Sequence, residues 1–341
     1  MNGPSENGLT FLDALPSGLL DLPARRLHEQ LSGPTLIRLS GEDPRPLFIS
    51  VLLHGNETTG WDAMRAILKK YAHLPRSVYL FIGNVAAAAQ GQRHLPQQAD
   101  YNRIWQGDGE TAEYAMAREL LAWLQQQSLF AAIDIHNNTG TNPHYACVNR
   151  LQDDYLHLAT LFSRTVVYFL KPDTVLSMAM SNLCPAVTIE CGKPDDARGV
   201  AHVIEFIEAA LHLSAFPDHA MAPQDVDLFH TVAVVNVPEQ CSVAVGDERA
   251  DIDLSPTIDH YNFSELPPGT SFGRFRADCE LALHARDEQG NEVSGRYFEL
   301  RDGGIYTRVP VMPSMLTLDA EIIRQDCLCY LMERLPLPGA D

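Results

Sequence analysis

Residues 47–84, LFISVLLHGNETTGWDAMRAILKKYAHLPRSVYLFIGN, decide the fold. LFISVLL (47–53) is a short apolar run rich in branched side chains, the pattern of a buried strand. Polar HGNETTG (54–60) interrupts it, and Trp61, Met64, Ile67, Leu68 and Tyr71 then recur on one face of a helix. VYLFIGN (78–84) returns to the buried-strand pattern. A strand, a loop, a helix and a strand in that order predict an α/β layered sheet.

The pattern continues on both sides. TLIRL (35–39) reads as a strand separated from 47–53 by a GEDPRP turn. The segment 85–110 is rich in Gly, Gln, Asp and His with weak periodicity, so it is expected to be mainly loop. A helix is predicted at 111–127, with Tyr114, Leu120, Leu121 and Leu124 as its apolar stripe. FAAIDIH (130–136) and AVTIE (186–190) are further strands, with a helix near 153–163 and a strand near 165–170 between them. An amphipathic helix over 200–213 closes this half. Residues 214–226 have the composition of a linker. Beyond them, short strands lie between Gly and Pro turns, as in FHTVAVVNV (229–237), CSVAV (241–245) and ELALHAR (280–286). The predicted division is an α/β domain over 1–222 and a smaller all-β domain over 223–341.

Composition narrows the function. Twenty-five basic against 44 acidic residues give a formal charge of −19, a field that repels a phosphate backbone and argues against a nucleic-acid partner. It also repels a small anion unless arginine is concentrated locally. No long apolar run suggests a membrane span, and the first twenty residues lack the basic start and apolar core of a secretory leader. Seven cysteines, at 147, 184, 191, 241, 279, 327 and 329, form no repeating framework, which suits a reducing cytoplasm.

The candidate chemistry lies where apolar strands end, the place where open α/β sheets bind ligands. His54 and Glu57 form an HxxE pair just after 47–53, and residues three apart on a turn or helix start can reach one ion. Zinc accepts two His and one carboxylate in catalytic sites and keeps a fourth position for water. His136, closing another strand, can supply the third ligand, and Asp134 two residues earlier shares its side of that strand. HxxE alone is a weak signal: His202 and Glu205 repeat it within a helix, where a solvated face is the plainer reading. GTSFG (269–273) matches a serine-nucleophile pattern, but it lacks the strand before and the helix after that a nucleophile elbow needs, so it reads as a turn.

Taken together, HGNET (54–58), DYNR (100–103), DIHNNT (134–139) and TIECGK (188–193) resemble the succinylglutamate desuccinylase and aspartoacylase family, which belongs with the zinc carboxypeptidases. The resemblance implies a mixed sheet between helices, followed by a β domain that narrows the cleft. It implies one zinc ion per chain on His54, Glu57 and His136, with Glu190 as the catalytic carboxylate. Asn102 and Arg103 match the family pair that grips substrate, and Arg93 a further substrate arginine, although its spacing to Asn102 departs from the family's. Plainer readings stand beside these: Glu190 fixed by Lys193 or Arg198, and Arg103 paired with Asp100 or Asp108. The expected substrate is a small anionic N-acyl amino acid. HNNT is closer to the aspartoacylase pattern and ECGK to the desuccinylase pattern, so the acyl group stays open. A metallocarboxypeptidase and a metal-holding protein without turnover are the alternatives.

Overall fold

A computed structural model describes residues 3–5, 7–276 and 283–337. The chain divides into two compact units. One holds residues up to Asn137 and His144–Asp227, and the other Asn138–Pro143 and Leu228–Pro336.

The strands of the first unit are β1 (Gly3–Pro4), β2 (Thr10–Leu12), β3 (Thr35–Leu39), β4 (Gly41–Val51), β5 (Leu74–Ile82), β6 (Ala131–His136), β7 (Tyr145–Val148), β8 (Thr165–Tyr168) and β9 (Ala186–Glu190). They lie in the order β1-β2-β3-β5-β4-β6-β9-β7-β8. The central run β5-β4-β6-β9 is parallel, while β3 and β7 join its two sides antiparallel, so the sheet is mixed. Every residue of β6 and β9 is buried, as expected for parallel strands covered on both faces. The covering helices are α1 (Thr59–Lys70), α2 (Val85–Gln90), α3 (Ala112–Leu124), α4 (Asp153–Thr160), α5 (Leu176–Met180) and α6 (Ala197–His212). Helices α1 and α6 pack on each other, while α4 and α5 pack against β9 and its neighbours.

One local expectation needs correction. The GEDPRP segment is not a turn but the first half of β4, paired to β5 from Gly41 onward with a register shift between Asp43 and Leu47. Buried Arg76 on β5 holds it there, pairing with Asp43 at 2.8 Å and donating to the Arg45 carbonyl at 2.8 Å. The 85–110 segment is mainly loop, as expected, apart from Val85–Gln90, which forms α2, capped by the Asn84 side chain on Ala87 N–H at 3.1 Å.

In the second unit, β10 (Asp227–Asn236) pairs with β14 (His284–Asp287) and β18 (Cys329–Arg334), and β18 pairs with β17 (Met312–Ser314). A separate sheet runs β11 (Val243–Val245), β12 (Ile252–Leu254), β13 (Ser271–Phe275), β16 (Gly304–Thr307), β15 (Phe298–Arg301). Leu254, Phe272, Ile305, Val235 and Leu331 belong to one apolar core. The GTSFG stretch is a turn that enters β13, with Ser271 as the strand's first residue. Residues 280–282 of ELALHAR and Cys279 lie outside the described residues. Among the described residues, no helix is long and apolar enough to cross a membrane.

Candidate metal centre and active site

The carboxyl ends of β4, β6 and β9 are neighbours because those strands are parallel and adjacent. Beyond Val51, Leu52 takes a left-handed φ of 59°, uncommon for a side chain of its size, and the chain leaves the sheet there. A turn closed by Glu57 N–H on the His54 carbonyl (3.1 Å) then brings the two side chains onto one side before α1 begins. His136 ends β6 and Glu190 ends β9 as its paired residue, so both point to the same face of the sheet.

The structure brings His54, Glu57 and His136 together, with one ligand atom from each lying within 4.8 Å of the others. Glu57 sits between the rings: Oε1 is 2.7 Å from His54 Nδ1 and Oε2 is 2.8 Å from His136 Nδ1. The far nitrogens are also engaged. His54 Nε2 is 3.0 Å from Asp100 Oδ1, and His136 Nε2 is 2.9 Å from Asp134 Oδ2. Both imidazoles therefore turn Nδ1 toward one point and rest Nε2 on a carboxylate, which is how proteins fix the tautomer of a metal-binding histidine. All three residues are buried, at 3, 6 and 3% exposure. The donor set and its outer carboxylates fit a metal ion, and these three residues could hold one.

The charges explain why such a cluster calls for a cation. Burial works to raise the Glu57 pKa, yet the two imidazoles outweigh it and hold the carboxyl below its usual range. Burial and Arg93 oppose a charge on His54, but Glu57 and Asp100 raise it. For His136, burial is again overcome, here by Asp134 and Glu57. These carboxylates, of which Glu57 and Asp134 are buried and Asp100 half-buried, favour positive charge at the two rings, held as ring protons or supplied by a metal ion in their place.

Asp100 is the residue that sequence reasoning missed as a functional one. It accepts from Arg93 Nε (3.1 Å) and Nη2 (2.9 Å) on one oxygen and meets His54 with the other. Burial pushes its pKa up, but His54 and Arg93 hold it well below the carboxylate range. Its signal was present in DYNR, two residues before Asn102. Arg93 is thus joined to the cluster through Asp100, and its backbone carbonyl also accepts from Gly55 N–H at 3.0 Å.

Asn102 is buried. Its Oδ1 accepts from Leu176 N–H at 3.0 Å, and its Nδ2 is 3.3 Å from His136 Nε2. Arg103 is half-buried and donates from Nη1 to the Asn102 carbonyl at 2.8 Å. Arg198, one plain partner for Glu190, is instead exposed and paired with Asp196 at 2.9 Å. The second HxxE forms no joint site. Half-buried His202 faces His144 (Nδ1 to Nδ1, 2.7 Å) and the Phe162 carbonyl, while Glu205 is exposed.

Comparisons with known proteins bear on the fold and on one matched segment. The description "Succinylglutamate desuccinylase/Aspartoacylase catalytic domain" matches residues 44–204. A comparison with curated protein sequences found no match. Among solved structures, the succinylglutamate desuccinylase of Chromobacterium violaceum is 17% identical with a TM-score of 0.56, covering 87% of each chain. Murine aminoacylase 3 is 16% identical with a TM-score of 0.53, over 88% of this chain and 99% of that one. The ectoine utilization protein EutE (DoeB) of Ruegeria pomeroyi is 16% identical with a TM-score of 0.54, over 89% of this chain and 88% of its own. At these identities the structures speak for the fold alone. The strand ends, the His-Glu-His cluster and the matched segment point the same way: residues 44–204 of this chain match the catalytic domain of the succinylglutamate desuccinylase/aspartoacylase family.

Proposed function

We propose that this protein hydrolyses the amide bond of a small N-acyl amino acid, with one zinc ion per chain on His54, Glu57 and His136. The observation that carries the reading is the outward bracing of both imidazoles by Asp100 and Asp134 around a shared Glu57. Zinc bound at this set would contribute Lewis acidity, which brings the pKa of a water from roughly 15.7 to about 7.

The chain's own groups do the rest. Glu190, paired with His136 across adjacent strands, takes the proton of the attacking water and hands one to the departing amine nitrogen. Arg103 offers a planar fork to the amino acid carboxylate, and Asn102 an amide beside it. Arg93 is assigned to holding Asp100, and through it His54, with any substrate contact secondary. The cluster and Asn102 are buried, which strengthens the electrostatic interactions among them. The C. violaceum relative carries a name that specifies a succinylated amino acid, which supports this class of substrate.

Glu190→Gln tests the assignment of roles. The variant is expected to keep its fold and zinc while turnover falls on the order of 10²-fold or more. Near-normal activity in zinc-loaded Glu190→Gln would remove Glu190 from the chemistry. A panel of N-acyl amino acids against tri- and tetrapeptides tests the substrate class. Faster cleavage of the longer peptides would favour a metallocarboxypeptidase, and no cleavage of either by zinc-loaded protein would favour a metal-holding protein without turnover.

A further inference from the structure

Asn137 follows His136 and is 4% exposed. Its backbone N–H donates to Glu57 Oε2 at 3.1 Å. Its side-chain oxygen accepts from Thr59 N–H at 3.2 Å, and its Nδ2 donates to Thr59 Oγ1 at 2.9 Å and to the Gly192 carbonyl at 2.8 Å. One amide therefore uses both of its N–H groups and its oxygen on two other chain segments. Thr59 opens α1 two residues after Glu57, and Gly192 stands two residues after Glu190.

A second link runs parallel to the first. Cys191 donates to the His136 carbonyl from its backbone N–H at 3.0 Å and from its thiol at 2.8 Å. Gly192 then takes a left-handed φ of 80°, where β9 turns away from the sheet. Beyond the last ladder pair of β6 and β9, it is Asn137 and Cys191 that fix where the chain carrying Glu190 lies relative to the chain carrying His136.

We propose that Asn137, acting with Thr59, is a positioning residue that sets the separation between the His54/Glu57/His136 cluster and Glu190. This rests on the reading of those four residues as one active centre. The physical requirement is an amide. Aspartate has the same shape but no donors, so it would set an oxygen against the Gly192 carbonyl and add an anion beside Glu57. A misplacement of about 1 Å between reacting groups can cost on the order of 10²-fold in rate, so a tie of this kind has kinetic weight.

The test compares wild type with Asn137→Ala, Asn137→Asp, Thr59→Val and Thr59→Ser. Hydrogen exchange of metal-free protein, followed in peptides covering 54–60 and 188–193, reads the tie without zinc or substrate. Exchange in both windows should quicken in the Asn137 variants and in Thr59→Val. Thr59→Ser, which keeps the hydroxyl, should match wild type. Zinc affinity from chelator competition should weaken by about 10- to 100-fold in the first three variants and be retained in Thr59→Ser. On an N-acyl amino acid, kcat should fall on the order of 10²-fold while KM stays within about threefold. Should Asn137→Ala fail to fold, Thr59→Val against Thr59→Ser carries the comparison. Unchanged exchange in both windows would overturn the proposal, as would losses that track only the folded fraction. If wild type itself holds no zinc or cleaves no such substrate, the functional reading fails, and the exchange arm still decides the role of Asn137.

Discussion

At the scale of single residues, the site is two rings, a shared carboxylate and the groups that brace them. His54 and Glu57 were legible because an HxxE pair on a turn meets without help from the rest of the fold. Asp100 was not, because its contact with His54 spans 46 residues and depends on a loop with no periodic pattern. Its bracing role predicts that Asp100→Asn, which removes charge but keeps size, weakens zinc binding by about 10- to 100-fold while the protein stays folded. Chelator competition measures this, and unchanged affinity would place Asp100 outside the metal's support. Arg103→Lys keeps the charge and loses the fork, so kcat/KM on N-acyl amino acids should drop substantially, with zinc content unchanged. Equal kcat/KM in the two proteins would free Arg103 from the carboxylate role.

At the scale of elements, β3 and β9 follow the bounds read from TLIRL and AVTIE, because branched apolar residues between polar turns leave little ambiguity. GEDPRP misled because two prolines usually punctuate a chain. Here Pro44 and Pro46 sit where β4 shifts register, while Arg76 on the neighbouring strand secures the segment. Helix α2 escaped notice for another reason: VAAAAQ is too short and too uniform to show a helical period. That helix constrains the site. A Cβ on Gly55, next to His54, would come within 2.2 Å of Ala88 N and 2.8 Å of Ala87 Cβ, so only glycine lets α2 approach. Gly55→Ala should therefore cost about 1–3 kcal/mol of stability by overpacking and should weaken zinc binding as the turn moves. Denaturant unfolding together with chelator titration checks it. Wild-type values for both would show that the loop absorbs the methyl group without consequence.

At the scale of the whole molecule, the α/β class follows from the alternation of patterns, and the site from where three parallel strands end. The grouping of Asn138–Pro143 with Leu228–Pro336 has no counterpart in composition, since six residues carry too little pattern to declare their partners. The formal charge of −19 makes the local arrangement more telling. An acidic protein that gathers Glu57, Asp100 and Asp134 around two histidines has assembled a donor set, with outer carboxylates, that suits a divalent cation. The measurement that bears most directly on this is the metal content of purified wild type and of His136→Ala. One tightly held divalent ion per chain is expected in wild type, with most of it lost from the folded variant. Equal metal content in the two proteins would contradict it.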